Sequence, residues 1–162
     1  MPLYFAYGSN MDVSAMAVRC PASRPLGPAR LAQHRFLVNT DGYATVARDP
    51  REDVHGVLFD LALRDLPALD RYEDVARGLY TKIVQPVITP AGARKALVYI
   101  GRSSEAGKPR AGYMEGVVAA AQAAALPAKY LDMLRALCPT AMATQEPAST
   151  APRFRAIGAA AR

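Results

Sequence analysis

The sequence predicts an α+β domain whose sheet is curled or closed into a barrel, with short helices beside it. About six apolar or β-branched runs are each bounded by turn residues, as strands are. Short helical patterns stand between and after these runs, which is typical of the α+β class. The predicted strands cover residues 3–7, 31–39, 43–47, 54–63, 79–89 and 95–100, and the predicted helices cover residues 12–19, 66–73, 111–125 and 127–137.

Glycine and proline divide the first half of the chain. An aromatic-rich opening strand breaks at Gly8-Ser9-Asn10, and Cys20-Pro21 ends the helix that follows. Three prolines and a glycine predict a loop over residues 21–30. The Asp41-Gly42 pair predicts a hairpin turn, and residues 49–53 predict a second turn.

Similar signals bound the elements of the second half. Asp65 is a suitable N-cap for a short helix, with Pro67 tolerated in its first turn. Gly78 then releases the chain into a strand rich in β-branched residues. The Pro90-Ala91-Gly92 turn reverses that strand, and Pro127 divides the two C-terminal helices.

The chain length suits one domain with a hydrophobic core, followed by a tail. Residues 139–162 consist mainly of alanine, threonine, proline and arginine and have almost no large apolar side chains. Burial therefore cannot offset the entropy of ordering them. We expect a domain over residues 1–138 and a flexible tail over residues 139–162.

The composition argues against several classes of protein. The net charge of +6 comes mostly from arginines that are scattered along the chain, so nucleic-acid binding is not favoured. A basic site for a small anionic molecule is compatible with the same charge. No apolar stretch approaches the roughly 20 residues that span a bilayer, and no basic region precedes the first apolar run. We expect a cytoplasmic protein without a membrane partner, either a monomer or a homodimer.

Cysteine and histidine spacing predicts neither a disulfide nor a metal site. Cys20 and Cys138 are far apart and form no C-x-x-C pair, and His34 and His55 each stand alone beside strand-like residues. We expect unpaired thiols and structural histidines.

The stretch Tyr7-Gly8-Ser9-Asn10 can form a binding turn. A strand that ends in Gly-Ser-Asn at a helix start points several backbone N–H groups in one direction, and such a turn can hold a carboxylate or an oxyanion. A plain tight turn with Asn10 as the N-cap is the alternative. Ser9 is not part of a G-x-S-x-G motif, and no phosphate-binding loop follows Gly8, so a serine nucleophile and a nucleotide site are not supported.

Glu73 is the strongest candidate for chemistry. It follows Leu66 and Leu69 at spacing i, i+3, i+7, so its carboxylate shares a helical stripe with two leucines. Partial desolvation raises the pKa of a carboxyl group and suits it to proton transfer near neutral pH. The neighbouring Asp74 adds a like charge, which would raise the pKa further.

Each of these assignments has a structural alternative. Glu73 can instead lie at a frayed helix end or pair with Arg71 or Arg77. Tyr80 and Tyr113 open the strand and the helical region that follow, and each phenol can donate to a substrate or simply sit at the edge of the core.

Four stretches of the chain, taken in order, carry a family resemblance. They are Tyr4-Phe5-Ala6-Tyr7-Gly8-Ser9-Asn10-Met11, Leu69-Asp70-Arg71-Tyr72-Glu73 with Gly78-Leu79-Tyr80, Pro109-Arg110-Ala111-Gly112-Tyr113, and Leu126-Pro127-Ala128-Lys129-Tyr130. No single stretch is specific, but the ordered set resembles γ-glutamylcyclotransferase and its relatives.

The resemblance implies a small, closed or nearly closed barrel of mixed strands with flanking short helices, and a reaction without cofactors. In such a reaction the α-amino nitrogen of a γ-glutamyl-amino acid or related amide attacks its own γ-carbonyl. This attack releases 5-oxoproline and the free amine. The resemblance also implies that Glu73 is the catalytic acid/base, and that the small-molecule substrate is bound by Tyr7, Gly8, Ser9, Asn10, Tyr80 and Tyr113.

One position departs from the family pattern. Relatives usually have glycine directly after the glutamate, where this chain has Asp74. Glycine permits a positive φ or a close ligand, which aspartate tolerates less freely. The departure bears on the substrate more than on the activity. A non-catalytic binding protein for γ-glutamyl or similar small anionic ligands, on the same fold, is the alternative function.

Overall fold

The computed structural model describes residues 2–139, which form a closed five-stranded barrel with four short α-helices. The predicted α+β barrel of mixed strands is confirmed. The elements are β1 Leu3–Ala6, α1 Val13–Arg19, β2 Arg24–Val38, β3 Ala44–Asp60, α2 Leu66–Tyr72, β4 Tyr80–Thr89, β5 Gly92–Gly101, α3 Tyr113–Ala123 and α4 Ala128–Ala136. The predicted tail at 139–162 lies, apart from its first residue, outside the described residues.

The short strand β1 closes the barrel. The strand order is β1-β3-β2-β4-β5, and β1 pairs antiparallel with β3 and parallel with β5. From Tyr4 to Ala6 its side chains are almost fully buried, with Phe5 at 0% exposed and Tyr4 at 3%. The chain leaves β1 at the rim of the barrel, which is where Gly8 begins a turn.

The predicted loop at 21–30 is wrong from Arg24 onward, because β2 begins there. Prolines are normally excluded from central strands, since they lack an N–H for the ladder. Here Pro25 and Pro28 pair with β3 alone, and the single β2–β4 pair lies further along, at Arg30 and Ile88. The start of β2 therefore behaves as an edge, where proline is tolerated.

The predicted turn at 49–53 is also wrong, because β3 continues through it. Pairing passes from His34↔Arg48 to Ala32↔Asp53, which leaves residues 49–52 as a bulge. The carboxylate of Asp49 accepts the backbone N–H of Arg51 at 3.0 Å, so the segment has a local turn without reversing the chain. Two predicted strands merge in this way, and the barrel has five strands in place of about six.

The helices begin at different caps from those predicted. Asp12, and not Asn10, caps α1 by accepting the N–H groups of Ser14 at 2.9 Å and Ala15 at 3.1 Å. Asp65 precedes α2 but makes no capping bond, because its carboxylate accepts the hydroxyl of Ser23 at 2.7 Å instead. None of the described helices is long and apolar enough to cross a membrane. The cytoplasmic location remains a prediction.

Gly56 marks the tightest packing between β1 and β3. A Cβ added at Gly56 would overlap the carbonyl oxygen of Ala6 and would lie 2.9 Å from the ring of Phe5. A Cβ added at Gly116 in α3 would meet no heavy atom within 4 Å. The packing of β1 on β3 thus requires glycine at position 56, whereas position 116 in α3 has room for a side chain.

We predict that Gly56→Ala lowers the free energy of unfolding by about 3 kcal/mol, because the methyl group overpacks the β1–β3 contact. The control Gly116→Ala should raise it by about 0.5–1 kcal/mol, because alanine favours a helix interior. Urea denaturation measures both. Equal stability of Gly56→Ala and wild type would contradict the close approach of the two strands.

Candidate active site

The candidate site lies at the rim of the barrel, where the turn after β1 meets the end of α2. A small inner cavity of about 30 Å³ lies next to an outer cleft of about 260 Å³, and both are lined by Ser9, Glu73, Tyr80 and Tyr113. The inner cavity is lined by Tyr4, Tyr7, Gly8, Ser9, Asn10, Ala44, Glu73, Tyr80, Tyr99 and Tyr113. All seven residues that the sequence predicted for the site therefore line one cavity.

Glu73 stands directly after the last residue of α2 and reaches into this cavity. Its Oε1 accepts a hydrogen bond from Nδ2 of Asn10 at 2.8 Å. The same Nδ2 also donates to the hydroxyl of Tyr4 at 3.0 Å. Leu69 is fully buried on the predicted apolar stripe, so the stripe does carry the carboxylate inward.

Burial raises the pKa of Glu73 from its ordinary value of 4.5 to about 7. The positive charge of Arg19 and the hydrogen bonds from Asn10 and Tyr4 oppose this effect, while the charge of Asp70 adds slightly to it. The expectation of a raised pKa is supported, but the like charge comes from Asp70 and not from the predicted Asp74.

The alternative in which Glu73 pairs with a nearby arginine is not seen in the described residues. Arg77 instead binds Asp74, with 2.8 Å between Nη2 and Oδ2. Arg71 lines the outer cleft. Glu73 does lie at the end of its helix, but its side chain is held by Asn10.

Asp74 has φ +53° and ψ +41°, the left-handed conformation. Glycine, the residue that the family usually has at this position, adopts this conformation most freely. Aspartate is among the side chains that tolerate it best. The departure from the family pattern therefore preserves the backbone path after Glu73.

The predicted tyrosines are fixed by backbone groups of Ala44 in β3. The Tyr80 hydroxyl donates to the Ala44 carbonyl at 2.6 Å, and the Tyr113 hydroxyl accepts the Ala44 N–H at 3.1 Å. The Tyr7 hydroxyl donates to the carbonyl of Tyr99. Burial raises the pKa of all three phenols, that of Tyr113 to about 12, so they remain neutral near neutral pH.

Gly8 is required by the approach of Tyr113. A Cβ added at Gly8 would lie 3.0 Å from the hydroxyl oxygen of Tyr113 and 3.3 Å from the Cβ of Ala44. The next residues, Ser9 to Met11, form a single 3-10 turn. No backbone carbonyl among residues 2–139 accepts the amides of Ser9 and Asn10.

Sequence reasoning missed several residues of the site. Tyr4 and Tyr99 line the inner cavity, and Tyr43 and Tyr72 line the outer cleft. The first two lie within strands, where a buried tyrosine has no local signal that separates site from core. Asp70 accepts the Tyr99 hydroxyl at 2.6 Å and binds Lys82 at 2.7 Å.

The two cysteines and the two histidines line neither cavity. Cys20 and Cys138 are unpaired, as predicted. His34 forms a hydrogen bond with the carbonyl of Ala32 at 2.8 Å, and the ring of His55 lies tilted against that of Tyr130, with 4.9 Å between the ring centroids. Among the described residues no group of three or more potential ligands could hold a metal ion.

Comparison with known proteins places this geometry in a family. The model of the AIG2-like family matches residues 53–134, half of the chain, so the chain belongs to the AIG2-like family. Among curated proteins, the gamma-glutamylcyclotransferase of Homo sapiens is 28% identical over 148 residues, which cover 85% of this chain and 79% of that protein. The gamma-glutamylcyclotransferase of Mus musculus is similar to the same extent.

Solved structures agree with the sequence matches. A gamma-glutamyl cyclotransferase superposes with a TM-score of 0.79 at 26% identity, covering 93% of this chain and 92% of that chain. An uncharacterised human protein gives a TM-score of 0.76 at 27% identity, covering 94% and 92%. The predicted resemblance is confirmed, and the chain is an enzyme of the γ-glutamylcyclotransferase type.

We predict that Glu73→Gln stabilises the protein increasingly as the pH rises. The folded carboxyl group keeps its proton up to a pKa of about 7, whereas the unfolded one releases it near 4.5. Between these values the folded state binds more protons, so the wild type loses stability as the pH rises. The difference in the free energy of unfolding between Glu73→Gln and wild type should therefore grow by about 2 kcal/mol from about pH 5 to about pH 8, in favour of the variant.

Urea denaturation at several pH values measures this difference. Glu52→Gln, at an exposed position of β3, serves as the control and should show no such trend. A constant difference between Glu73→Gln and wild type across the pH range would contradict the raised pKa.

Proposed function

We propose that the enzyme converts a γ-glutamyl-amino acid or related amide to 5-oxoproline and the free amine, with Glu73 as the acid/base. The observation that supports this best is the environment of Glu73. Its carboxyl group has a pKa of about 7 and faces a cavity that also contains the turn at Gly8 to Asn10. A group that titrates near neutral pH can both accept and return a proton there.

The reaction balances with this one group. The carboxylate of Glu73 takes a proton from the α-ammonium of the substrate, and the freed amine attacks the γ-carbonyl carbon to form a tetrahedral intermediate. The Glu73 carboxyl group gives this proton to the leaving nitrogen as its bond to that carbon breaks. The ring nitrogen must also lose a second proton to become the lactam N–H, and Glu73 passes that proton to the released amine, which departs as an ammonium ion. The products are 5-oxoproline and the amine, and no electrons are exchanged with a third partner.

The turn and the phenols supply orientation. The amides of Ser9 and Asn10 lack backbone acceptors in the described part of the chain and can bind a carboxylate or the developing oxyanion. The phenols of Tyr80 and Tyr113 are held by Ala44, so they present fixed, neutral dipoles to the cavity. Holding the amine close to the carbonyl lowers the barrier by removing the entropy of their encounter.

The size of the cavities suggests how the substrate is arranged. The inner cavity of about 30 Å³ has room for one small group, such as a carboxylate, and the outer cleft of about 260 Å³ has room for the remainder. In this arrangement the reacting atoms lie beside Glu73, which lines both spaces. The leaving group points to the outer cleft, between Tyr43, Tyr72 and Arg71.

We predict that the wild type releases 5-oxoproline from a panel of γ-glutamyl-amino acids and γ-glutamylamines, measured by chromatography. Glu73→Gln should lower kcat by about 10²–10⁴-fold, because an amide cannot transfer the proton. Glu52→Gln, the same change on an exposed strand position, should retain wild-type activity.

Two results would contradict the proposal. Robust turnover by Glu73→Gln would exclude its role as the acid/base. A rise in melting temperature with γ-glutamyl compounds or 5-oxoproline, without any turnover, would favour the non-catalytic binding protein instead.

A further inference from the structure

Arg19 contacts the groups that hold Glu73 but lines neither cavity. It lies in the last turn of α1, where its guanidinium donates to Oδ1 of Asn10. The guanidinium also lies over the ring of Tyr72, 3.4 Å from the ring centroid. Any effect of Arg19 on the substrate therefore passes through its neighbours.

The contact with Arg19 decides which way the Asn10 amide faces. A guanidinium has only donors, so Asn10 must turn its oxygen towards Arg19 and its NH₂ group the other way. That NH₂ group then meets Oε1 of Glu73 at 2.8 Å and the hydroxyl of Tyr4 at 3.0 Å. The flipped amide would set its oxygen against the Glu73 carboxylate and its NH₂ group against the guanidinium, and both contacts would be repulsive.

We propose that Arg19 is a positioning residue, which holds the Asn10 amide with its NH₂ group towards Glu73 and so keeps Glu73 available as a base. This inference rests on the proposed function of Glu73. Arg19 acts on the base through Asn10 and does not touch the reacting atoms.

The Tyr72 ring makes arginine the appropriate side chain for this task. A planar guanidinium can stack on an aromatic face and still donate in its own plane, which an ammonium group cannot do equally well. The hydroxyls of Tyr72 and Ser9 lie 2.8 Å apart, within hydrogen-bonding distance. Tyr72 thereby connects the end of α2 to the same turn that carries Asn10.

The other charged and titratable groups around Glu73 do not replace Arg19. Asp70 is the acidic neighbour, and Lys82 binds it at 2.7 Å. Arg71, Asp74 and Arg77 line the outer cleft with Glu73, and Arg77 binds Asp74 at 2.8 Å. Burial raises the pKa values of the phenols that line the inner cavity, so these phenols carry no charge near neutral pH; they are Tyr4, Tyr7, Tyr80, Tyr99 and Tyr113. Arg19 is the cation that favours the ionised form of Glu73.

The test compares Arg19→Met, Arg19→Lys and the control Arg135→Met in two measurements. The first is the carboxyl titration of Glu73 by NMR with ¹³C-labelled glutamate. The chain has only five glutamates, so the Glu73 signal is the one absent from Glu73→Gln. The second is the pH profile of kcat/KM. Arg135 is an exposed arginine of α4 that binds Asp132, so its loss removes the same charge far from Asn10 in the chain.

We expect Arg19→Met to move the Glu73 midpoint and the acid limb of the pH profile up by about one unit. The activity below neutral pH should then fall by about tenfold, while the plateau above the new midpoint stays within a few-fold of wild type. Arg19→Lys should move the Glu73 midpoint and the acid limb in the same direction but by less than one unit. Arg135→Met should move neither the midpoint nor the acid limb.

An unmoved Glu73 midpoint in Arg19→Met, or an equal shift in Arg135→Met, would overturn the inference. If Arg19→Met does not fold, Arg19→Lys tests the inference in its place. An unmoved Glu73 midpoint in Arg19→Lys would then overturn the inference. If the wild type shows no turnover, the proposed function fails, but the NMR titration still tests the role of Arg19.

Discussion

The pairing of β1 with β3 holds the two halves of the site in register. The turn that carries Asn10 leaves β1, whereas Glu73 is reached through β3 and α2, 63 residues later in the chain. A slip of one residue between β1 and β3 would move the turn by about 3.4 Å and exchange the inward and outward side chains. The 2.8 Å bond between Asn10 and Glu73 could not form in such a register. Gly56 allows the two strands to approach this closely.

Opposing effects set the pKa of Glu73. Burial favours its neutral form, while Arg19, Asn10 and Tyr4 favour its carboxylate, and the balance leaves the pKa at about 7. A carboxylate satisfied by more donors would be a weaker base, and one without donors would remain protonated at neutral pH. Burying this carboxyl group therefore lowers the stability of the folded enzyme, as groups at functional sites often do.

Local sequence patterns were enough to predict the helices, the hairpin turn and the partial burial of Glu73. The apolar stripe of Leu66 and Leu69 correctly indicated a carboxylate that faces inward. The Asp-Pro pair at 49–50 predicts a turn where the structure has a bulge, because this pair has the same local preference in both settings and only pairing with β2 separates them. Arg19 was missed because its contact with Tyr72, the last residue of α2, depends on the tertiary fold. The reaction itself was predicted from the family resemblance, since periodicity alone cannot specify a substrate.

The tyrosines give the enzyme an optical property. The chain has eight tyrosines and no tryptophan, and seven of the eight line the two cavities; the exception is Tyr130. Nearly all of its near-ultraviolet absorption and intrinsic fluorescence thus arises from phenols at the site. A ligand that enters the cavities changes the surroundings of most of these chromophores at once. The unlabelled enzyme therefore carries its own spectroscopic reporter of occupancy.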